Sequence, residues 1–168
     1  MDKRKRIRVG SKLVEMGCVY RVFKIEKRRE NGSSQRIIYY EQYYPKPDSM
    51  MIKCSIPEYN FEEANIRQPI PKKEVKTVLN NLSAKEANGD GLDDVKAKED
   101  VKLNDIHITT GVAKTYWYAK KDTEVDFPKK RKDILECAIC RMEEEIAVVL
   151  KVSPSTARDR ITRALQRS

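Results

Sequence analysis

Short apolar runs separated by turn residues occupy the first third of the chain. They are rich in Val, Ile and Tyr and lie at 7–15, 18–27, 35–44 and 50–56. In the fourth run, the even-numbered residues from Met50 to Ile56 fall on one face, which is typical of a half-buried strand with Cys54 in the core. A further short segment at 66–70 is expected to close the strands, so the pattern predicts a small antiparallel β-barrel.

Helical spacing replaces this alternation after residue 70. Pro71 suits the first turn of a helix. The apolar residues that recur there at helical intervals are Val75, Val78, Leu79 and Leu82. A second, charged helix that carries Val95 and Leu103 is expected at 92–104.

Two longer helices are expected in the last third. Thr109 or Thr110 caps the first, which runs to about Lys121. Asp126 caps the second, and Pro128 lies in its first turn. The apolar stripe of the second helix consists of Leu135, Ala138, Ile139, Met142, Ile146, Val149 and Leu150.

Glycine and polar residues at 83–91 mark a linker between two domains. We therefore expect an α+β chain, with a β-barrel domain and its closing helix at 1–82 and an all-α helical domain at 92–168. Charged residues make up 36% of the chain, so two small cores fit the composition better than one thick core.

Positive charge is in excess, because 35 Lys and Arg residues against 26 Asp and Glu residues give a net charge of +9. This excess favours an acidic partner, of which nucleic acid is the commonest. No apolar run approaches the roughly 18 residues of a membrane span, and no secretory signal follows the basic start. We expect a cytoplasmic monomer without membrane contact.

Residues with catalytic potential are scarce. His107 is the single histidine, and the sequence has no phosphate loop, nucleophile elbow or complete metal-ligand cluster, so neither an enzyme nor a cofactor is expected. Cys137 and Cys140 form one C-x-x-C pair. A structural zinc site needs more ligands, and a redox pair needs a strand-to-helix junction. We interpret both as small core residues; a zinc or thiol-redox protein is the alternative.

The segment 145–165 resembles a helix-turn-helix, with its second helix beginning at Ser153. That helix carries three arginines, Arg158, Arg160 and Arg163. Arginines on a recognition helix read guanine edges in the major groove, so a sequence-specific repressor or activator is an alternative function. Because Lys151 stands where the turn usually has glycine, an ordinary helical hairpin is the favoured interpretation.

Three stretches of the chain keep a distinctive order and spacing. Val-Gly-Ser-Lys-Leu-Val at 9–14, followed by Val-Phe-Lys-Ile-Glu at 22–26, resembles V-G-D-x-V-V and I-x-x-I-E. The segment 56–67 resembles V-P-x-x-N-x-x-x-x-G-L-R, and 133–147 is similar to M-L-x-x-A-x-x-x-L-x-x-E-L-A. These motifs resemble the CarD family of RNA polymerase-binding regulators, whose N-terminal domain is shared with the transcription-repair coupling factor. The resemblance covers nearly the whole chain.

The resemblance implies a Tudor-like β-barrel that binds the β subunit of RNA polymerase, with a barrel strand added to a polymerase sheet. Arg28 matches a family arginine at this contact. A second family arginine is replaced by Ser55, and Lys53 on the same face is expected to compensate. The expected polymerase-binding residues are Arg28, Met51, Ile52, Lys53, Ser55 and Ile56.

The resemblance also implies that the helical domain lies on promoter DNA at the upstream edge of the bubble, where it modulates open-complex stability through largely sequence-independent contacts. Asp93 stands where the family has a wedge tryptophan, so either Leu92 inserts instead or, as we favour, charge alone holds the DNA. Trp117 is expected to anchor the core. The expected DNA-binding residues are Leu92, Lys96, Lys98, Lys102, Lys114, Lys120, Lys121, Lys129, Lys130 and Arg131.

Overall fold

The computed structural model describes residues 6–30, 32–47, 49–85, 92–123 and 126–167. It divides the chain into two units, Met1–Pro69 and Ile70–Ser168. The first unit holds the strands and the second holds the helices. The basic start at 1–5 and most of the expected linker, at 86–91, lie outside the described residues.

The described residues of the first unit include four antiparallel strands, which form one sheet in the order β1-β2-β3-β4. Their bounds are Lys12–Glu15 (β1), Cys18–Glu30 (β2), Ser33–Gln42 (β3) and Lys53–Pro57 (β4). Met16 and Gly17 form the two-residue turn between β1 and β2, and both have positive φ angles, of 49° and 82°. These angles match a type I′ turn, whose twist fits the twist of the flanking strands.

The sheet is open, so its predicted closure into a β-barrel is not confirmed. β1 and β4 are the two edges of the described sheet. On the β1 side, Val14 and Arg67 exchange two backbone hydrogen bonds, of 2.7 and 3.2 Å. The segment predicted to close the barrel therefore reaches the sheet, but as an isolated bridge on one edge instead of a strand that joins both edges.

Alternate residues of the strands pack into the core of the first unit. Cys54 and Ile56 are partly buried against this core, as the fourth apolar run predicted. Met50 and Ile52 are exposed instead (92% and 50%), because β4 begins only at Lys53 and residues before a strand need not follow its alternation. The buried residues that form the core cluster are Ile7, Leu13, Tyr20, Val22, Ile38, Tyr40, Phe61 and Ile66. Val14 and Val19 are fully buried as well.

The described residues of the second unit form five helices. Their bounds are Lys72–Ser83 (α1), Asp94–Lys102 (α2), Ile106–Asp122 (α3), Lys129–Leu150 (α4) and Pro154–Gln166 (α5). α4 contacts each of the other four helices and lies at the centre of the unit. α1 packs against α3 and α5, so the structure groups it with the helices, whereas we had expected it to close the strand domain.

Aspartates begin two of the helices. The Asp93 carboxylate accepts two backbone N–H bonds at the start of α2, and the Asp105 carboxylate accepts two at the start of α3. The prediction that Thr109 or Thr110 caps α3 is therefore wrong. The helix begins earlier, and both threonine hydroxyls donate to backbone carbonyls inside it. Aspartate and threonine are both good caps, so residue type alone does not decide between them.

The predicted cap of α4 is wrong, whereas the predicted start of α5 is confirmed. α4 follows Pro128 without a side-chain cap, so Asp126 does not cap it. α5 follows Ser153, whose Oγ accepts a 3.1 Å bond from the backbone N–H of Thr156, and Pro154 is its first residue. The start of the last helix at Ser153 was predicted from the sequence, and its serine cap and first-turn proline give the physical reason.

The buried face of α4 was predicted well, whereas that of α2 was not. In α4 the buried residues include Leu135, Ala138, Ile139, Met142 and Ile146, while Val149 and Leu150 are half-buried. In α2, Val95 and Leu103 are exposed (65% and 50%), and the buried residues are Ala97 and Val101. Val95 precedes Ala97 by two residues, which places it on the opposite side of the helix.

Glu145 is fully buried within the apolar stripe of α4. Its Oε1 atom accepts a 2.8 Å hydrogen bond from the backbone N–H of Ile70, two residues before α1 begins. A buried carboxylate is tolerated only where it has hydrogen-bond partners. Glu145 therefore fixes the chain that enters α1 against the central helix.

Replacing Glu145 by alanine is expected to lower the free energy of unfolding by about 2–3 kcal/mol, because a partly buried N–H loses its acceptor. Urea denaturation followed by circular dichroism measures this change. Glu145→Gln keeps an acceptor oxygen and should cost less. Glu99→Ala, on the exposed side of α2, is the control. A Glu145→Ala protein as stable as this control would contradict the role assigned to Glu145.

Candidate functional site

The outer edge of β4 presents backbone groups that can pair with another strand. The backbone N–H of Gln42 donates to the carbonyl of Ile52 at 3.2 Å, and the register continues through the pairs Tyr40–Cys54 and Ile38–Ile56. Residues of an antiparallel strand alternate in the direction of their backbone groups. Lys53 and Ser55 therefore direct their N–H and C=O groups away from β3, as the addition of a further strand requires.

A polar network lies on the exposed face of the same sheet. Arg28 donates through Nη2 to the hydroxyl of Tyr39 at 3.0 Å and to Glu26 Oε2 at 3.2 Å. The Tyr39 hydroxyl donates to the same carboxylate oxygen at 2.8 Å, and Lys24 forms an ion pair with Glu26. The guanidinium of Arg28 is thus oriented by two neighbours, while its side chain remains 61% exposed.

Tyr39 connects the predicted polymerase-binding residues of β2 and β4. It is the register partner of Ser55 on β4 and binds Arg28 of β2. Lys53, expected to compensate for the missing arginine, lies two residues before Ser55, with its Nζ atom 5.7 Å from the centre of the Phe23 ring. The structure therefore brings Arg28, Lys53 and Ser55 to one sheet surface.

Apolar side chains border the edge of β4. Met51 and Ile52 are 45% and 50% exposed just before the strand. Ile56, also predicted to touch polymerase, is half-buried against the core instead. Tyr39 and Phe23 belong to this surface but were missed from the sequence. Alternation along β3 marked Tyr39 as outward-facing, whereas the register shift between Val22 and Lys24 obscured the position of Phe23.

Hydrogen bonds hold Glu26 in its charged form. Bonds from Lys24 and then from Tyr39 lower the pKa of Glu26 to about 2. Because this pKa lies below the ordinary value of a glutamate, the network stabilises the folded sheet at neutral pH. It loses that contribution as the pH falls toward about 2.

The Tyr39→Phe variant removes one of these bonds and is expected to raise the pKa of Glu26 toward the ordinary glutamate value. The rise should be partial because Lys24 still binds the carboxylate. Titration of the carboxyl carbon by NMR measures the shift, with the exposed Tyr59→Phe as control. An unchanged pKa of Glu26 in Tyr39→Phe would show that the tyrosine does not hold the network.

The predicted DNA-binding lysines fall into an exposed set and one buried exception. Lys114 is only 6% exposed on α3, so its prediction as a DNA-facing residue is not supported by its position. It follows Ala113 on the side of α3 that faces the core. The exposed members are Lys96, Lys98 and Lys102 on α2, Lys120 and Lys121 at the end of α3, and Lys129 and Lys130 at the start of α4.

Asp94 binds two of the predicted DNA-binding residues, Lys130 and Arg131. Its Oδ1 atom accepts a 2.8 Å bond from the hydroxyl of Tyr116 and a 3.2 Å bond from Arg131 Nε, and its Oδ2 atom lies 3.5 Å from Lys130 Nζ. The Tyr116 bond is the main cause of the lowered pKa of Asp94. Two predicted DNA-binding cations are therefore partly neutralised by an internal carboxylate.

The expected wedge position has a structural role in α2. Asp93 accepts the backbone N–H groups of Val95 and Lys96, each at 3.0 Å, and Leu92 beside it is half-buried. An aspartate engaged in capping does not insert between base pairs. Asp93, at the position of the family tryptophan, is thus part of the cap of α2.

The end of α3 combines lysines with aromatic rings. Lys120 Nζ lies 5.6 Å from the centre of the Trp117 ring, and Lys121 Nζ lies 5.9 Å from that of Tyr118. Trp117 is half-buried, and its Nε1 atom has no hydrogen-bond partner among the described residues. These contacts hold both ammonium groups near the surface of the helix.

α4 and α5 form the hairpin in which a helix-turn-helix was considered. Lys151 adopts a left-handed conformation at the turn, with φ of 57°, so it takes the backbone shape that glycine usually provides. Arg158 Nη2 donates to Glu136 Oε2 at 2.6 Å, and Arg158 Nη1 donates to Glu143. The bond from Arg158 is the main cause of the lowered pKa of Glu136. Arg158 thus braces the hairpin and is not free to read a base.

Removing this brace should affect stability and not DNA affinity. Arg158→Ala is expected to lower the free energy of unfolding by about 1 kcal/mol, a small value because the side chain is partly solvent-exposed. DNA affinity should stay within about twofold of the wild-type value, because Arg158 is bound to two glutamates and is not free to contact DNA. A twofold change in affinity corresponds to less than about 0.5 kcal/mol. Thermal denaturation and fluorescence anisotropy measure the two effects. Arg160→Ala is the stability control, and equal stability of the two variants would contradict the brace.

Cys137 and Cys140 are exposed, so their prediction as core residues is wrong. The buried stripe of α4 passes through Ala138 and Ile139, which leaves both cysteines at its margins. The Cys140 thiol contacts Glu136 and Arg158, at 3.4 and 3.6 Å. Although the residue is exposed, neighbouring side chains partly shield the Cys140 thiol from water, and this desolvation raises its pKa.

His107 is also exposed, with its Nε2 atom 3.2 Å from Glu74 Oε2. Within the described ranges, no group of three His, Cys, Asp or Glu side chains is arranged to hold a metal ion. The helices described here include none with the length and apolar character needed to cross a membrane. Comparison with protein-family models and with curated proteins finds no match to this chain.

Proposed function

We propose that this chain is a bacterial transcription regulator that binds the β subunit of RNA polymerase and contacts promoter DNA. The observation that carries the proposal is the outer edge of β4, which lies beside the surface formed by Arg28, Tyr39 and Ser55. The sequence motifs of this chain resemble those of the CarD family in their order and spacing. We also propose that the open sheet, with its Val14–Arg67 bridge, corresponds to the Tudor-like domain of that family.

Docking on polymerase uses backbone and side-chain contacts. A polymerase strand adds to β4 and pairs with the outward backbone groups of Lys53 and Ser55. Burial of Met51 and Ile52 contributes apolar contact at the end of this strand. Arg28, already oriented by Tyr39, donates its remaining N–H groups to the partner at small entropic cost.

The helical unit supplies contact with DNA. Binding of the first unit to polymerase raises the local concentration of the second unit beside the promoter. If the helical unit binds the opened DNA more tightly, its differential affinity shifts the promoter toward the open state. A difference of about 1.4 kcal/mol changes the ratio of open to closed complexes tenfold. The proposal includes no catalytic step or cofactor, and it places the protein in the cytoplasm, where polymerase acts.

A sequence-specific repressor or activator is the second candidate. The α4–α5 hairpin and the exposed Arg160 and Arg163 favour it. The pairing of Arg158 with two glutamates counts against it, because one of three candidate base-reading arginines is already bound. The two candidates differ in the dependence of DNA affinity on sequence.

Proline at position 55 tests docking through the edge of β4. Ser55→Pro removes an outward N–H but leaves the neighbouring bonds to β3 in place, since edge strands tolerate proline at such positions. We expect at least tenfold weaker binding of the full chain to the polymerase β subunit in a pull-down titration. Ser55→Ala keeps the N–H and should bind like the wild type.

Lys53→Pro repeats the test at the second outward position, and the melting temperature of each variant verifies its fold. Wild-type affinity in both proline variants would rule out strand addition at β4. No affinity of the wild-type chain for the β subunit would rule out the proposed function itself.

A further inference from the structure

The arginines of α5 are divided between two environments. Arg158 binds Glu136 and Glu143 of α4, as described above. Arg160, Arg163 and Arg167 are exposed. Over the part of the chain that the structure describes, none of these three has an ion pair or a hydrogen bond from its side chain. One arginine of this helix is therefore structural, and three present free guanidinium groups.

The three exposed arginines form a stripe along one side of α5. Their spacing of three and four residues keeps them within roughly 60° of arc at 100° per residue, over roughly 10 Å of helix. The buried side of the helix is separate and consists of Ala157, Ile161, Ala164 and Leu165. Packing of α5 thus leaves the arginine stripe at the surface.

The local charge of α5 differs from that of α2 and of the start of α4. The segment 154–167 has four basic residues against the single acid Asp159, whereas α2 has three lysines against three acids. Lys130 and Arg131 of α4 are partly neutralised by Asp94. With its last arginine, α5 has a net charge of +3, against +2 for α1 and α3 and zero for α2 and α4. Among the described helices, α5 therefore has the largest net positive charge, and no described carboxylate pairs with its three exposed arginines.

We propose that Arg160, Arg163 and Arg167 form the phosphate-binding surface through which the helical unit holds double-stranded DNA. This inference rests on the proposed DNA contact and assigns it mainly to α5, in place of the lysines of α2 and α3. B-DNA carries one negative charge per roughly 1.7 Å of its axis, so a stripe of roughly 10 Å faces several phosphates. Guanidinium groups bind phosphate oxygens through paired N–H donors.

The surface binds the backbone of DNA and does not read its bases. Phosphate contacts fix position but carry no sequence information. Each contact releases bound counterions, so the affinity falls with salt by a slope of about 0.9 per phosphate neutralised. The arginine stripe therefore contributes about 2.7 to the slope of log affinity against log salt concentration.

The test compares the full-length wild type with the variant R160Q/R163Q/R167Q by fluorescence anisotropy on two labelled duplexes of unrelated sequence. Glutamine keeps a high helix propensity, and circular dichroism verifies the fold. When the salt concentration rises fourfold, the affinity of the wild type for DNA should fall by a factor roughly 40 times larger than the factor for the variant. The control K27Q/R29Q/K46Q removes the same charge from exposed positions of the first unit and should keep the wild-type slope.

A second variant, R160K/R163K/R167K, separates phosphate contact from base readout. Lysine keeps the charge but cannot bind a guanine edge with the planar fork of arginine. A salt slope near that of the wild type is expected on both duplexes, with a small loss of affinity that is equal on the two. Strong preference of the wild type for one duplex, lost in the lysine variant, would overturn the phosphate assignment in favour of base readout.

The outcomes also separate this inference from the function on which it rests. If the wild type binds both duplexes and the glutamine variant binds equally well with the same salt slope, the α5 assignment is overturned while DNA contact stands. An equal loss of slope in the first-unit control would likewise overturn it, because net charge would then explain the effect. If the wild type binds neither duplex, the inference and the proposed DNA contact both fail.

Discussion

The two edges of the N-terminal sheet differ in how far their backbone groups are paired, and the proposed docking of this protein depends on that difference. A sheet edge exposes backbone donors and acceptors that need partners. On β1, the backbone of Arg67 bonds to that of Val14 and occupies part of the edge. On β4, the alternation of backbone groups leaves Lys53 and Ser55 directed outward, with exposed apolar residues just before them. The open edge is thus the one that can receive a strand from a partner.

In the helical unit, three carboxylates bind groups of the fold, whereas the three arginines of the α5 stripe lie at the surface. Glu145 binds a backbone N–H, Asp94 binds Tyr116 and Arg131, and Glu136 binds Arg158. Each of these acids joins two segments of the unit. The exposed arginines of α5 have no such partners among the described residues, so acidic side chains that stabilise the fold do not neutralise the surface proposed to face DNA.

The sequence allowed the periodic features to be predicted but not the choices between equivalent residues. The four strands, the buried stripe of α4 and the start of α5 at Ser153 follow from patterns that one dominant interaction sets. The cap of α3 was assigned to a threonine although Asp105 provides it, because both residue types can accept the same bonds. The exposure of Cys137 and the burial of Lys114 depend on the rotation of each helix about its axis, which packing decides.

The candidate site was predicted in part for the same reason. Arg28 and Ser55 were found through the resemblance, yet their connection through Tyr39 depends on the register of β2, β3 and β4. Long-range register arises from pairing between strands, so single-strand alternation does not specify it. The ion pairs that bind Arg158 are likewise contacts between helices. Arg160 and Arg163 form no such pairs among the described residues.

Hydrogen–deuterium exchange of the full chain, with and without the polymerase β subunit, tests the strand-edge account most directly. The account predicts that the amides of Lys53 and Ser55 become protected when the subunit is added, because a partner strand then accepts their hydrogen bonds. The amide of Lys46, in the loop beyond the paired edge, should change little. Binding of the subunit without any protection at Lys53 and Ser55 would contradict docking through the edge of β4.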